Sequence, residues 1–271
     1  MIFSALVLTL NEELQIEGCL RSLARARAIA VIDSGSTDRT LELVASFPKT
    51  RVVRRPFVNF SDQRNHGLDD CFQPGEWVFH LDADERLTPE LTSEIERLVP
   101  AEAEVAFNVA SRTFLKGKLV LRASGYPVLQ TRLTRAGRFR FEEIGHGQKA
   151  PARFGPLPRL THPYDHHPFE KGDAAWRARH ERYAEREVED LLSMRRRWSV
   201  REVFADPIAR RQWLNHATAR LPFRPELVWT YLMFLRGGAL DGPAGWEYCR
   251  LRWVYEGLVR ARLKAVPAAR A

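Results

Sequence analysis

The chain has 271 residues, 45% of them hydrophobic, and a formal net charge of +8. That length and apolar content exclude a disordered protein and leave room for one large domain, or for a domain with an appendage. Cys19, Cys71 and Cys249 are odd in number and far apart, which excludes a disulfide framework and a zinc spacing and predicts a reducing, cytoplasmic setting.

The charge is uneven. Residues 1–194 carry 27 Lys+Arg against 28 Asp+Glu, whereas residues 195–271 carry 15 against 6. A separate basic C-terminal element facing an anionic partner is therefore expected. No apolar run reaches the roughly 20 residues that span a bilayer, the longest C-terminal candidate being Leu227 to Leu235, so association with a membrane would be peripheral. Met1 to Leu10 lacks a positive n-region and a cleavage site and reads as a first strand, not a signal peptide.

Ser4 to Leu10 has the apolar continuity of a strand buried on both faces, and Asn11 is placed to N-cap a helix carrying Leu14, Ile16, Leu20 and Leu23 toward a sheet. Ala28 to Ile32 is a second strand, closed by the polar loop Asp33-Ser34-Gly35-Ser36-Thr37-Asp38. Arg51 to Arg54 is a short third strand, and Ser61-Asp62-Gln63-Arg64-Asn65 opens another helix. Trp77 to Leu81 is a fourth strand, running straight into Asp82-Ala83-Asp84-Glu85, and Thr88-Pro89 starts the helix after it. Alternation of this kind predicts a doubly wound α/β sheet with ligands at the carboxyl ends of its strands.

Further on, Val105 to Phe114, Lys118 to Leu121, Gln130 to Thr134 and Arg138 to Phe141 read as strands that extend the sheet, partly antiparallel. Alternation along Phe139, Phe141 and Glu143 puts Glu143 on the face of the two aromatics, aimed into a partly desolvated cleft, with Glu142 toward solvent. Gly172 to Met194 is helical, with Trp176, His180 and Tyr183 on one face. The division expected is a domain over 1–170 and a helical, basic region over 171–271, whose last segment mixes Trp246, Trp253 and Tyr255 with arginines in a way that suits an anionic lipid interface.

Asp82 and Asp84, two apart at a strand end, reach one small volume, and hard oxygen ligands of this kind suit Mg²⁺ or Mn²⁺. The plain alternative is that Asp84 and Glu85 only open a turn. His162, His166 and His167 are candidates to complete a metal shell or touch phosphate, or are simply solvated.

The order of these motifs, Thr9-Leu10-Asn11-Glu12-Glu13, then Val31 to Asp38, then Gln63-Arg64-Asn65, then Leu81-Asp82-Ala83-Asp84-Glu85, resembles family 2 glycosyltransferases of the GT-A fold. The likeness covers roughly residues 1 to 115. More loosely, Leu221-Pro222-Phe223-Arg224-Pro225 and Arg236 to Gly242 resemble a branch that includes lipopolysaccharide-core and exopolysaccharide enzymes. The resemblance implies a Rossmann-like mixed sheet flanked by helices, with a helical basic C-terminal extension. It also implies an inverting, metal-dependent hexosyl transfer from a nucleotide-sugar donor, UDP- or dTDP-linked, to a glycan or lipid-linked acceptor in cell-surface polysaccharide synthesis. Thr9, Asn11, Glu12, Asp33, Gln63, Arg64 and Asp82 would then bind the nucleotide, with Arg64 neutralising diphosphate charge, and Asp84 would carry the ion. Relatives place a His-Glu pair near the strand equivalent to Arg138 to Phe141, and this chain departs from it, leaving Glu143, His146 and Glu142, in that order, as candidate general bases. One rival is a nucleotidyltransferase, but no glycine lies between Met1 and Glu17 to wrap a triphosphate. The other is a nucleic-acid-binding protein, which the carboxylate-lined strand ends oppose.

Overall fold

The computed structural model describes residues 2–144, 147–193 and 207–266. These form two compact units, one of Met1–Leu121 with Gly125–Lys171, the other of Arg122–Ser124 with Gly172–Ala271.

The first unit opens with β1 (Ser4–Thr9), α1 (Ile16–Ser22), β2 (Ile29–Asp33), α2 (Thr40–Ala45), β3 (Thr50–Arg54), α3 (Phe60–Cys71) and β4 (Trp77–Asp82). It continues with β5 (Glu85–Arg86), α4 (Pro89–Arg97), β6 (Ala106–Leu115), β7 (Lys118–Val120), β8 (Val128–Arg135), β9 (Glu142–Ile144), β10 (Gly147–Lys149) and β11 (Tyr164–His166). The main sheet runs β3-β2-β1-β4-β8-β6-β11-β5, with β7 on β6, and β9 and β10 pair separately. Its first four strands are parallel, because each is followed by a helix that carries the chain back, while β8 joins β4 antiparallel.

Strand periodicity divides the core between the two faces of the sheet. Ala5, Val7 and Val31 pack with Ile16, Leu20, Leu91 and Ile95 of α1 and α4, whereas Leu6, Leu8 and Ile32 pack with Leu68 of α3. The second layer is so close that a Cβ at Gly67 would lie 2.0 Å from Leu6 Cδ1, which leaves only glycine for that turn of α3. Thr88 N-caps α4 as expected, accepting from Leu91 N at 3.2 Å.

Two local expectations fail for identifiable reasons. Asn11 does not cap α1. It sits at φ 53 and spends its side chain on the loop after β2, so α1 begins at Ile16 with Leu14 exposed. Arg138 to Phe141 is not a strand. Phe139 and Phe141 are buried in a loop, and the Asn65 side chain takes the place of a pairing partner, its Oδ1 accepting from Phe141 N at 2.8 Å and its Nδ2 donating to Phe141 O at 2.9 Å. Pairing starts one residue later, at β9.

The second unit contains α5 (Gly172–Ser193) and helices over Pro207–Thr218, Arg224–Thr230 and Gly242–Ala265, with a π turn over Tyr231–Leu235 prolonging the third. Trp176 and His180 stack in α5 with ring centroids 3.9 Å apart. Buried Arg224 donates to Glu256 at 2.7 Å, and Asp241 accepts from the backbone N–H groups of Arg122 and Ala123 at 2.8 and 2.9 Å. Among the described residues no helix is long and apolar enough to cross a membrane.

Candidate active site

The carboxyl edge of the parallel strands brings the predicted polar residues together. Thr9 lies opposite Asp33 and Leu8 opposite Asp82 in the ladders of β1 with β2 and β4. The loops that leave β1 and β2 are stitched to each other. Asn11 N donates to Ser36 Oγ at 2.9 Å, Asn11 Oδ1 accepts from Thr37 N at 2.8 Å, and Glu12 N donates to Thr40 Oγ1 at 2.8 Å. Buried Asp33 organises this loop, its carboxylate accepting from Gly35 N at 3.0 Å and from Ser36 N and Oγ at 3.1 and 2.5 Å.

Asp82 is held from two sides. Arg64 Nη2 donates to Asp82 Oδ1 at 2.7 Å and Arg132 Nη2 to Oδ2 at 3.4 Å. Arg64 is fully buried, with its Nε donating to Gln148 Oε1 at 2.9 Å. Arg132 also reaches Glu85 at 2.5 Å and Tyr164 Oη at 3.2 Å, and Glu85 accepts in turn from Asp82 N at 2.8 Å. Burial pushes the Glu85 carboxyl up to about 7, with Asp82 and Asp84 adding to the shift and Arg132 opposing it. Burial, reinforced by the cations of Arg64 and Arg132, holds His80 well below the ordinary histidine range, so it packs as a neutral ring 2.7 Å from Thr134 Oγ1.

Asp84 follows in the turn beyond β4. Its backbone O accepts from His167 N at 2.8 Å, which brings the end of β11 alongside, and His166 Nε2 stands 3.6 Å from Asp84 Oδ2. Burial works against the His166 cation, but the carboxylates of Asp84, Glu85 and Asp82 together outweigh it and raise the pKa. His167 stacks on Phe114 and His162 pairs with Glu94 at 2.9 Å, so of the three histidines only His166 faces the aspartates. Asp84 and His166 are the side chains on this edge that would hold a divalent cation if one bound here. Among the described residues no group of three or more His, Cys, Asp and Glu side chains forms a cage for a metal.

The remaining candidates are placed as follows. Gln63 is buried and donates to the carbonyls of Arg55 and Pro56 at 3.2 and 3.1 Å. Glu12 pairs with Lys171 at 2.5 Å. Glu142 and Glu143 are both exposed, so the partial desolvation expected of Glu143 is not met, and its carboxylate accepts from Asn59 Nδ2 at 3.0 Å. His146 lies outside the described residues. Thr9 Oγ1, Gln63 Oε1, Arg64 Nη1 and Arg132 Nη1 are buried without a hydrogen-bond partner among the described residues. Arg132, Tyr164 and the burial of Glu85 were not foreseen. The available signal was a lone arginine inside the expected strand Gln130 to Thr134, flanked by apolar Leu129 and Leu133.

Comparison with known proteins agrees with this geometry. The family model described as Glycosyl transferase family 2 matches residues 4–154, more than half of the chain, and the chain belongs to that family. The lipopolysaccharide core biosynthesis glycosyltransferase LpsC of Rhizobium meliloti (strain 1021) is 35% identical over 144 residues, covering 51% of this chain and 53% of that protein. An uncharacterized glycosyltransferase of Rickettsia bellii (strain RML369-C) is 33% identical over 100 residues, or 36% of this chain and 33% of that one. The matched part thus spans about half the length of the first relative and a third of the second. In fold, the chain is similar to the crystal structure of S. aureus TarS 1-349 in complex with UDP-GlcNAc, with a TM-score of 0.50, 18% identity and coverage of 99% of this chain and 93% of that one. The architecture is the expected GT-A mixed sheet, flanked by helices and followed by a helical C-terminal unit.

Proposed function

We propose that this protein is an inverting glycosyltransferase that moves a sugar from a UDP- or dTDP-linked donor to a glycan or lipid-linked acceptor in bacterial lipopolysaccharide or surface polysaccharide synthesis, on the cytoplasmic face of the inner membrane. The observation that carries this reading is the placement of Asp33 and Asp82 at the carboxyl ends of the parallel strands on either side of β1, with Asp84 in the turn just beyond, in a family 2 domain. The name of the Rhizobium meliloti relative favours a lipopolysaccharide core acceptor.

In this reading Asp33 and the laced loops around Asn11 and Glu12 hold the base and ribose, with Thr9 beneath them. Asp82 presents a carboxylate to a ribose hydroxyl, and Arg64 and Arg132 fix its direction. The unpartnered buried polar atoms of Thr9, Arg64 and Arg132 favour a polar ligand at this edge, since leaving each unmade costs about 1–3 kcal/mol. Asp84 and His166 are the residues that would hold Mg²⁺ or Mn²⁺, and such an ion, when bound, neutralises charge developing on the departing nucleoside diphosphate. The acceptor hydroxyl gives its proton to a base, for which Glu143, His146 and Glu142 are the candidates, and attacks the anomeric carbon opposite the leaving group. Screening nucleotide sugars for release of nucleoside diphosphate, with and without EDTA, tests the assignment. No turnover of any donor, with metal present, would reject it.

A further inference from the structure

The helix over Arg224–Thr230 and the π turn Tyr231–Leu235 that prolongs it expose large apolar side chains on their outward face. Arg224, Pro225 and Met233 face inward, and the inward face carries the buried Arg224–Glu256 ion pair. The apolar residues recur at helical spacing on the outward face. Phe223, Leu227, Tyr231, Phe234 and Leu235 are all exposed, Phe234 at 62% and Leu235 at 80%. Trp246, half exposed, extends the stripe through Trp229, whose ring lies 5.9 Å from Phe234 and 6.3 Å from Trp246. A monomeric surface in water rarely keeps a contiguous apolar stripe of this kind.

Charge decides what covers it. Most acidic side chains of this segment are used internally, Glu256 by Arg224 and Arg252, Glu247 by Arg250, and Asp241 by backbone N–H groups, while exposed Glu226 accepts from Trp253 Nε1 at 3.4 Å. Arg220 and Arg236 flank the stripe, exposed and with no acidic partner among the described residues. Aromatic and branched apolar side chains rimmed by unmatched cations complement an anionic lipid surface, where rings lodge at the headgroup boundary and guanidinium groups meet phosphate.

We infer that the stripe from Phe223 to Leu235, with Trp246, is an interfacial anchor that seats this unit in the headgroup layer of an anionic bilayer. The anchor deepens the reading of a lipid-linked acceptor and rests on it for its purpose, while its chemistry is independent of the donor site.

The test is flotation of the full chain with vesicles of phosphatidylcholine alone and of phosphatidylcholine mixed with phosphatidylglycerol, beside donor turnover measured without vesicles. The wild-type chain is expected to float with the mixed vesicles, less so as salt rises. Phe234→Ser/Leu235→Ser should weaken that partition roughly tenfold or more, and Arg236→Glu about fivefold or more, both with donor turnover unchanged. Equal flotation of the wild-type and double variants, flotation with neither vesicle, or a stable wild-type dimer that the double variant dissociates would overturn the anchor. Flotation as expected with no donor turnover would reject the transferase reading alone.

Discussion

Glu85 and Arg132, 47 positions apart in the chain, meet at 2.5 Å with 1% and 2% of their side chains exposed. The pair is the hinge between the sequence-local aspartate motif and the rest of the sheet, since Glu85 also accepts from the backbone of Asp82. A buried ion pair adds little net stability over an apolar equivalent, but losing one partner leaves an uncompensated charge. Arg132→Met should therefore cost about 3–5 kcal/mol in urea unfolding, and Arg132→Met/Glu85→Gln should recover a large part of it. A loss below about 1 kcal/mol in the single variant would show that the pair is not formed in solution.

Asp33 both ties its own loop and ends the strand beside Thr9. Asp33→Ala should weaken binding of UDP or dTDP by about 1.5–3 kcal/mol, while Asp33→Asn, which keeps one acceptor oxygen, should lose less. Calorimetry giving unchanged affinity in Asp33→Ala would remove Asp33 from the nucleotide site.

For the base, Glu143 is ranked first because Asn59 holds it, followed by His146 and Glu142. Replacing the true base, by Glu143→Gln, His146→Ala or Glu142→Gln, should lower sugar transfer by roughly 10² to 10⁴ with donor affinity nearly intact. Normal transfer by Glu143→Gln beside an inactive His146→Ala would reverse the ranking.

Burial in α5 lowers the His180 pKa to about 4, partly opposed by its hydrogen bond to the Trp176 carbonyl. A depressed folded-state value means that this contribution to stability is complete above the unfolded value near 6.5 and is lost as pH falls toward 4. Allowing for its partial exposure, the loss should be about 2 kcal/mol. Unfolding followed from pH 7 to pH 4, as about the span of that window, should show it in the wild-type chain and not in His180→Gln. Parallel pH curves for the two would contradict the assignment.

How much of this was legible in the sequence depended on the range of the interaction. The parallel half of the sheet, Thr88 as a cap, and the placing of Asp33 and Asp82 at the strand ends on either side of β1 follow from local periodicity and from strands whose crossovers are short. Arg132 and Tyr164 could not be found that way, because β8 lies beside β4 and β11 beside β6 only through long-range pairing. Asn11 misled because the residue types that cap helices also tolerate φ above zero, and here the second property decides. Phe139 and Phe141 imitate strand alternation, yet the Phe141 backbone is paired by the Asn65 side chain and not by a strand.

The central claim is that Asp84, with His166 beside it, serves metal-assisted departure of a nucleoside diphosphate. It is tested most directly by measuring nucleoside diphosphate release from the preferred nucleotide sugar in wild-type, Asp84→Asn and His166→Ala chains, each with Mg²⁺ or Mn²⁺ and with EDTA. Wild-type turnover should require the metal and Asp84→Asn should lose at least several kcal/mol of transition-state stabilisation, roughly a thousandfold or more, while remaining folded. His166→Ala should need more metal for half-maximal rate. Full wild-type turnover in excess EDTA, or a folded Asp84→Asn chain that turns over normally, would contradict it.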